Sequence, residues 1–133
     1  MSTRSAIGLQ TKDGKIKGVY CHWDGYLEYN GKILKENYNI IEKVEELLAL
    51  GDISSLGKRV KPNKGEQHTF GKPAEDVTVA YHRDRGDDLE PAREFDTVRD
   101  YVNFFKGCWC EYFYLFKDNK WYYSCGSSRL KLV

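Results

Sequence analysis

The chain has 133 residues, 41% of them hydrophobic and 14% aromatic, and Lys+Arg 21 nearly cancel Asp+Glu 20 to leave a formal net charge of +1. That length is one domain's worth, with room for a single core. The balance of charge argues against a dedicated polyanion binder, and no apolar run approaches the ~18 residues of a membrane span.

Charge is less even locally. Between positions 58 and 72, Lys58, Arg59, Lys61, Lys64 and Lys72 face only Glu66, while acids outnumber arginines from Glu75 to Asp100. Both segments read as solvated loops. The N-terminal stretch "MSTRSAIG" has no apolar h-region, so the expectation is a protein that stays in the cytoplasm, with its four cysteines reduced.

The first predicted element is a β-hairpin over 3–23. Ile7 and Leu9 precede Asp13-Gly14, and Ile16, Val19 and Tyr20 follow, a two-residue turn signal between apolar runs. Pairing Lys12 with Lys15 sets Ile7 opposite Tyr20. Asp24-Gly25 then ends the second strand. "NGKILKENY" predicts a short helix with Ile33, Leu34 and Tyr38 on one face. "NIIEKVEELLALG" predicts a second, with Asn39 as N-cap, Val44, Leu47 and Leu48 as its apolar stripe, and Gly51 just past its end.

Residues 52–76, rich in Gly, Lys, Ser and Pro, predict loop. "VTVAYH" (77–82) predicts a strand and "HRDRGDDLEP" a polar loop. Asp96 or Thr97 caps a helix carrying Val98, Tyr101, Val102 and Phe105. A closing hairpin, 109–116 with 121–125, turns at Asp118-Asn119. The order ββααβαββ in a single domain, 1–133, predicts an α+β fold with a mainly antiparallel sheet, carrying two or three helices.

Two groups of residues invite chemistry. Cys108 and Cys110, read as neighbours on one strand face, lie near Cys125 across the hairpin, and Cys21 with His22 would complete four ligands. Zinc knuckles space their cysteines differently, so buried thiols are the preferred reading, and neither metal nor cofactor is expected. His22-Trp23-Asp24 and His82-Arg83-Asp84 repeat a His-x-Asp pattern. If the pairs met in space they would form a two-His, two-carboxylate centre for a metal-dependent phosphoesterase or nuclease. The competing reading gives each Asp to the turn after its strand. No Gly-rich phosphate loop and no nucleophile elbow is present.

The aromatic residues exceed the needs of one small core. Alternation in the closing hairpin sends Tyr112, Tyr114, Phe116, Trp121 and Tyr123 to one face and Trp109, Phe113, Leu115 and Tyr122 to the other. Both faces must therefore be covered, by the chain's own loop 52–76, by a target, or by a second copy in a homodimer through 109–125.

The strings "MSTRSAIG", "VYCHWDGY", "LGDISSL" and "AYHRDRGDD" together resemble a group of uncharacterised small proteins encoded by bacteriophages and prophages. The resemblance covers roughly residues 1–90. It implies a non-enzymatic inhibitor of a bacterial immune system, anti-CRISPR-like in habit, acting in the cytoplasm of the infected host. Such an inhibitor docks on an effector protein or sequesters its nucleotide signal. On this reading the binding residues are Arg4, His22, Trp23, Asp24 and Tyr26, with His82, Arg83, Asp84 and Arg85. Trp23 would stack on the ligand and the arginines would meet phosphate or carboxylate.

Overall fold

A computed structural model describes residues 2–133. The chain is α+β with a mostly antiparallel sheet, as the order of elements predicts, but the described residues form four α-helices rather than two or three and eight strands rather than five. The hairpin β1 (Ser5–Gln10) and β2 (Ile16–Cys21) comes first. Its turn is wider than predicted. The Gly14 N–H donates to the Thr11 carbonyl and the Thr11 N–H to that of Lys15, and Gly14 is left-handed at φ +85°. This is a three-residue loop with a glycine bulge, not a two-residue turn. The register moves by one, and Ile7 lies opposite Val19.

After β2 the chain makes a π-helical turn, Leu27–Gly31, into α1 (Lys32–Asn37), and then α2 (Ile41–Leu48). Val44, Leu47 and Leu48 are buried as the stripe predicts. The cap differs: Ile40 takes the N-cap position without a side-chain bond, while Asn39 reaches back to the Glu36 carbonyl. Residues 52–80 then hold two strands, β3 (Ile53–Ser55) and β4 (Val79–Ala80). The segment between them is tied down. Arg59 grips Glu66 with both guanidinium nitrogens at 2.8 and 3.1 Å, and Tyr38 Oη donates to the Gly57 carbonyl at 2.7 Å.

The predicted strand 77–82 stops at Ala80, where α3 (Tyr81–Arg85) begins. β5 (Arg93–Phe95) and α4 (Val98–Lys106) follow. Thr97 Oγ1 caps α4 by accepting the Asp100 N–H. The closing hairpin is β6 (Tyr112–Lys117) and β7 (Lys120–Ser124), with β8 (Lys131–Leu132) at the edge. Asp118 and Asn119 both have positive φ, the tight turn that keeps Lys117 opposite Lys120.

The sheet runs β4-β3-β2-β1-β6-β7-β8, and β5 also pairs with β2. Its centre is the parallel pair β1–β6, with Ile7 beside Tyr114. Each face has a cover. Ile7, Leu9, Val19, Tyr114, Phe116 and Trp121 pack with Leu34, Tyr38, Val44 and Leu47. Ala6, Ile16, Phe113 and Leu115 pack with Tyr101, Val102 and Phe105 of α4. Both hairpin faces are thus filled within the chain, by α1 and α2 on one side and α4 on the other.

Two glycines locate α4. Gly8 and Gly18 are directly opposed in the β1–β2 ladder. A Cβ on Gly18 would come within 2.5 Å of Tyr101 Cε1, and one on Gly8 within 2.9 Å of Tyr101 Cζ. The bare backbone there is a slot for one phenol ring, whose Oη donates to the Tyr114 carbonyl at 2.6 Å.

Candidate functional site

β2 has an unusual outer edge. β5 pairs with it from Ile16 to Gly18 and β3 pairs only at Cys21, so Tyr20 lies between two short strands. A strand edge with a free N–H needs an acceptor. Asp52 provides it: its Oδ1 accepts the Tyr20 N–H at 3.0 Å, while its own carbonyl accepts the Tyr81 N–H at 3.5 Å. Over this gap opens a cleft of about 490 Å³, lined by Tyr20, Leu50, Asp52, Tyr81, His82 and Arg85 with Asp87, Asp88 and Glu90. A second recess of about 250 Å³ shares Tyr20 and Asp52 and continues to Arg93, Phe104 and Cys108.

Burial pushes the Asp52 carboxyl above the ordinary carboxylate range, against the opposing pull of the Tyr20 N–H and the Arg93 charge. Burial likewise raises the Tyr20 hydroxyl to about 12. Tyr20 Oη shares a 2.8 Å hydrogen bond with His22 Nδ1. Burial, and then the Arg4 charge, hold His22 below the usual histidine range, which keeps its imidazole neutral at pH 7. The His22 ring meets Trp23 edge to face, 4.7 Å between centroids. Trp23 itself is 45% exposed.

The corner carrying these rings is rigid. Asn30, fully buried, donates through Nδ2 to Ser5 Oγ, Cys21 Sγ and the Trp23 carbonyl. Asp24 is left-handed at φ 56°. Gly25 has no room for a side chain, since a Cβ there would meet the Thr3 carbonyl oxygen at 2.8 Å, and its own carbonyl accepts Tyr114 Oη at 2.7 Å. The stretch "CHWDGY" is therefore a packed corner that presents Trp23 and Tyr26 outward, with Tyr26 and Tyr29 rings 6.1 Å apart.

The second sequence-predicted group divides. His82 and Asp84 lie on a helix rather than a strand, so alternation does not align them. His82 Nδ1 bonds with the Asp87 carbonyl at 2.8 Å. Asp84 turns inward, accepting the Ala80 N–H at 2.8 Å and two Arg83 nitrogens at 2.9 and 3.0 Å, with His68 Nε2 at 3.1 Å. Burial pulls its pKa up, but the bonds from Arg83, Ala80 and His68 outweigh that and hold it below the carboxylate range. Arg83 also donates to the Val60 and Thr78 carbonyls, each at 2.6 Å. The Ala74 N–H donates to His68 Nδ1 at 2.9 Å, leaving the ring proton on Nε2, towards Asp84. This network ties α3 to the 58–78 segment.

Arg83, expected to meet phosphate or carboxylate of a ligand, is thus engaged within the protein on Asp84 and two backbone carbonyls. Arg85 is committed too, over the Phe70 and Tyr81 rings at 4.7 and 4.8 Å and paired to Asp87 at 2.6 Å. The proposed thiol cluster also changes. Cys108 and Cys110 sit in the turn between α4 and β6, not on a strand face, because Trp109 adopts φ 68°. Among the described residues, no three His, Cys, Asp or Glu side chains converge on a point that would hold a metal ion, so neither the His-x-Asp pairs nor Cys21, His22, Cys108, Cys110 and Cys125 form one site.

Sequence reasoning did not single out Asp52, Tyr20 and Tyr81. Asp52 stood in a polar segment with no apolar period, and its partners lie 32 and 29 positions away. Among the described residues, no helix is long and apolar enough to cross a membrane. No protein-family model matches the chain, and no curated protein or solved structure is detectably similar to it.

Proposed function

We propose that this protein is a non-enzymatic, phage-encoded binding protein that blocks a bacterial immune system by docking on an effector protein. The observation that carries this reading is the division of labour between cations and rings. Arg83 and Arg85, two of the three arginines of the candidate site, are spent on internal carbonyls, carboxylates and rings, so a nucleotide phosphate would have to displace them. The third, Arg4, stands beside Tyr20 and His22. Trp23, Tyr26, Tyr29 and Trp109 meanwhile stand exposed, Trp23 and Tyr26 on the corner that Asn30 pins. Exposed aromatics with a polar handle, held at low entropy cost, are the anchors of protein interfaces. The phage and immune-system context rests on the sequence resemblance.

The test is expression in a bacterial strain that carries an active immune system, scored by phage plaquing, with native mass spectrometry of the protein recovered from those cells. Restored plaquing and a bound protein of defined mass are expected. Trp23→Ala is expected to lose at least tenfold in binding while stability changes by less than about 1 kcal/mol. A stoichiometric nucleotide or metal in the recovered protein, with no protein partner, overturns the docking reading.

A further inference from the structure

The charge and shape of the β2 gap go further than the exposed rings, and name what enters it. Around the larger cleft stand Asp52, Asp87, Asp88 and Glu90 against one arginine, Arg85. Arg85 is already neutralised by Asp87. Arg93, whose charge reaches Asp52 from the adjoining recess, sits over the Phe104 ring at 4.8 Å and 3.7 Å from Glu90. Arg4, outside the lining, reaches the Tyr20 hydroxyl, so the four acids face three arginines and the cleft keeps a surplus of negative charge.

Asp52 is placed to use it. Among the described residues its carboxylate has one hydrogen bond, from the Tyr20 N–H to Oδ1, and no ion pair. Tyr20 and Tyr81 line the cleft with it, and Leu50 supplies an apolar wall. Aromatic walls with a half-buried carboxylate suit a guanidinium, which stacks on rings, is weakly hydrated, and donates in a fork to a carboxylate. An ammonium is more strongly hydrated and loses more on entry.

Resting on the docking reading above, we propose that the recess formed by Tyr20, Asp52 and Tyr81 receives an arginine side chain from the partner protein. The docked arginine lies against the two phenol rings with its guanidinium on Asp52. The exposed Trp23, coupled through His22 to Tyr20, adds apolar contact beside that anchor.

The experiment is titration of the full chain with L-argininamide, followed by amide and tyrosine ring NMR shifts, with L-lysinamide and inorganic phosphate as comparisons. Saturable binding is expected, with the largest shifts at Tyr20, Asp52 and Tyr81, weaker for lysinamide and absent for phosphate. Asp52→Asn is expected to weaken argininamide binding at least tenfold, while Glu42→Gln, outside the cleft lining, leaves it unchanged. Asn keeps an oxygen for the Tyr20 N–H, so an unchanged fold is checked by the Tyr20 amide signal in the same spectra. Equal binding by Asp52→Asn, or shifts that map away from the cleft, overturns the inference. If Asp52→Asn still blocks the immune effector as well as the parent chain, the arginine anchor falls and the docking reading stands. If argininamide fills the recess but no effector is blocked, the docking reading falls and takes the protein partner with it.

Discussion

Asp84 on α3 and Asp52 against its first residue are both carboxylates, and their surroundings drive them in opposite directions. Asp84 has three classes of donor around it and is held below the ordinary range, whereas Asp52 has one backbone N–H and is pushed above it by burial. A carboxyl whose proton is bound more tightly in the folded state contributes stability in full below the unfolded value of 3.8, and that contribution is lost as pH rises through the folded value. The protein should therefore gain from Asp52→Asn, and more at pH 7 than at pH 4; urea midpoints at the two pH values measure this. Arg83→Ala should do the reverse. It takes from Asp84 its charged partner and leaves the Val60 and Thr78 carbonyls unpaired, which costs about 2–3 kcal/mol at pH 7, seen as a lower urea midpoint with an unchanged slope. A carboxylate whose charged form burial disfavours, as at Asp52, points to a role in what it meets besides its bond to the Tyr20 N–H.

At the scale of elements, the slot between β1, β2 and α4 is the most demanding fit. Gly18→Ala forces a methyl to within 2.5 Å of the Tyr101 ring and is expected to cost about 1–3 kcal/mol by overpacking. The double variant with Tyr101→Ala should cost less than the sum of the two, because the clash disappears with the ring; denaturation of the three variants measures the coupling. Elements of this kind were partly legible in the sequence. The stripes of α2 and α4 follow from 3.6-residue spacing, and the Asp118-Asn119 turn keeps its predicted register. The Asp13-Gly14 turn misled by one residue because only Gly14, not both central residues, is left-handed. β3 and β5, of three residues each, carry too little pattern to stand out. The predicted strand 77–82 ends two residues early, and the predicted loop from His82 opens as a helical turn, where Asp84 folds back to accept the Ala80 N–H.

For the whole molecule, the decisive pairing joins distant parts of the chain. β1 lies in parallel with β6, Ser5 beside Tyr112, and Tyr114 completes both the Tyr101 slot and the Gly25 corner. No local pattern announces a contact across more than a hundred residues, so the sequence yields the class of fold but not the arrangement of its sheet. That arrangement, by leaving β2 one unpaired position at Tyr20, is also what creates the cleft, which explains why the candidate site was only half visible. A chain so closed should not fold in pieces. A fragment of residues 1–107, lacking the strand at the centre of the sheet, is expected to show neither native far-UV circular dichroism nor a cooperative melt, and addition of peptide 108–133 to restore both.

The three tryptophans divide these scales among themselves. Trp121 is 3% exposed and donates to the Tyr38 carbonyl at 2.8 Å, Trp109 is 77% exposed, and Trp23 is between them with its face against His22. Their light emission is therefore already sorted by position. Iodide should quench Trp109 first and leave Trp121 bright, the blue-shifted Trp121 band should vanish only when the sheet opens, and Trp23 should dim or brighten as the cleft fills, so the protein carries an optical reporter for its surface, its core and its candidate site without any label.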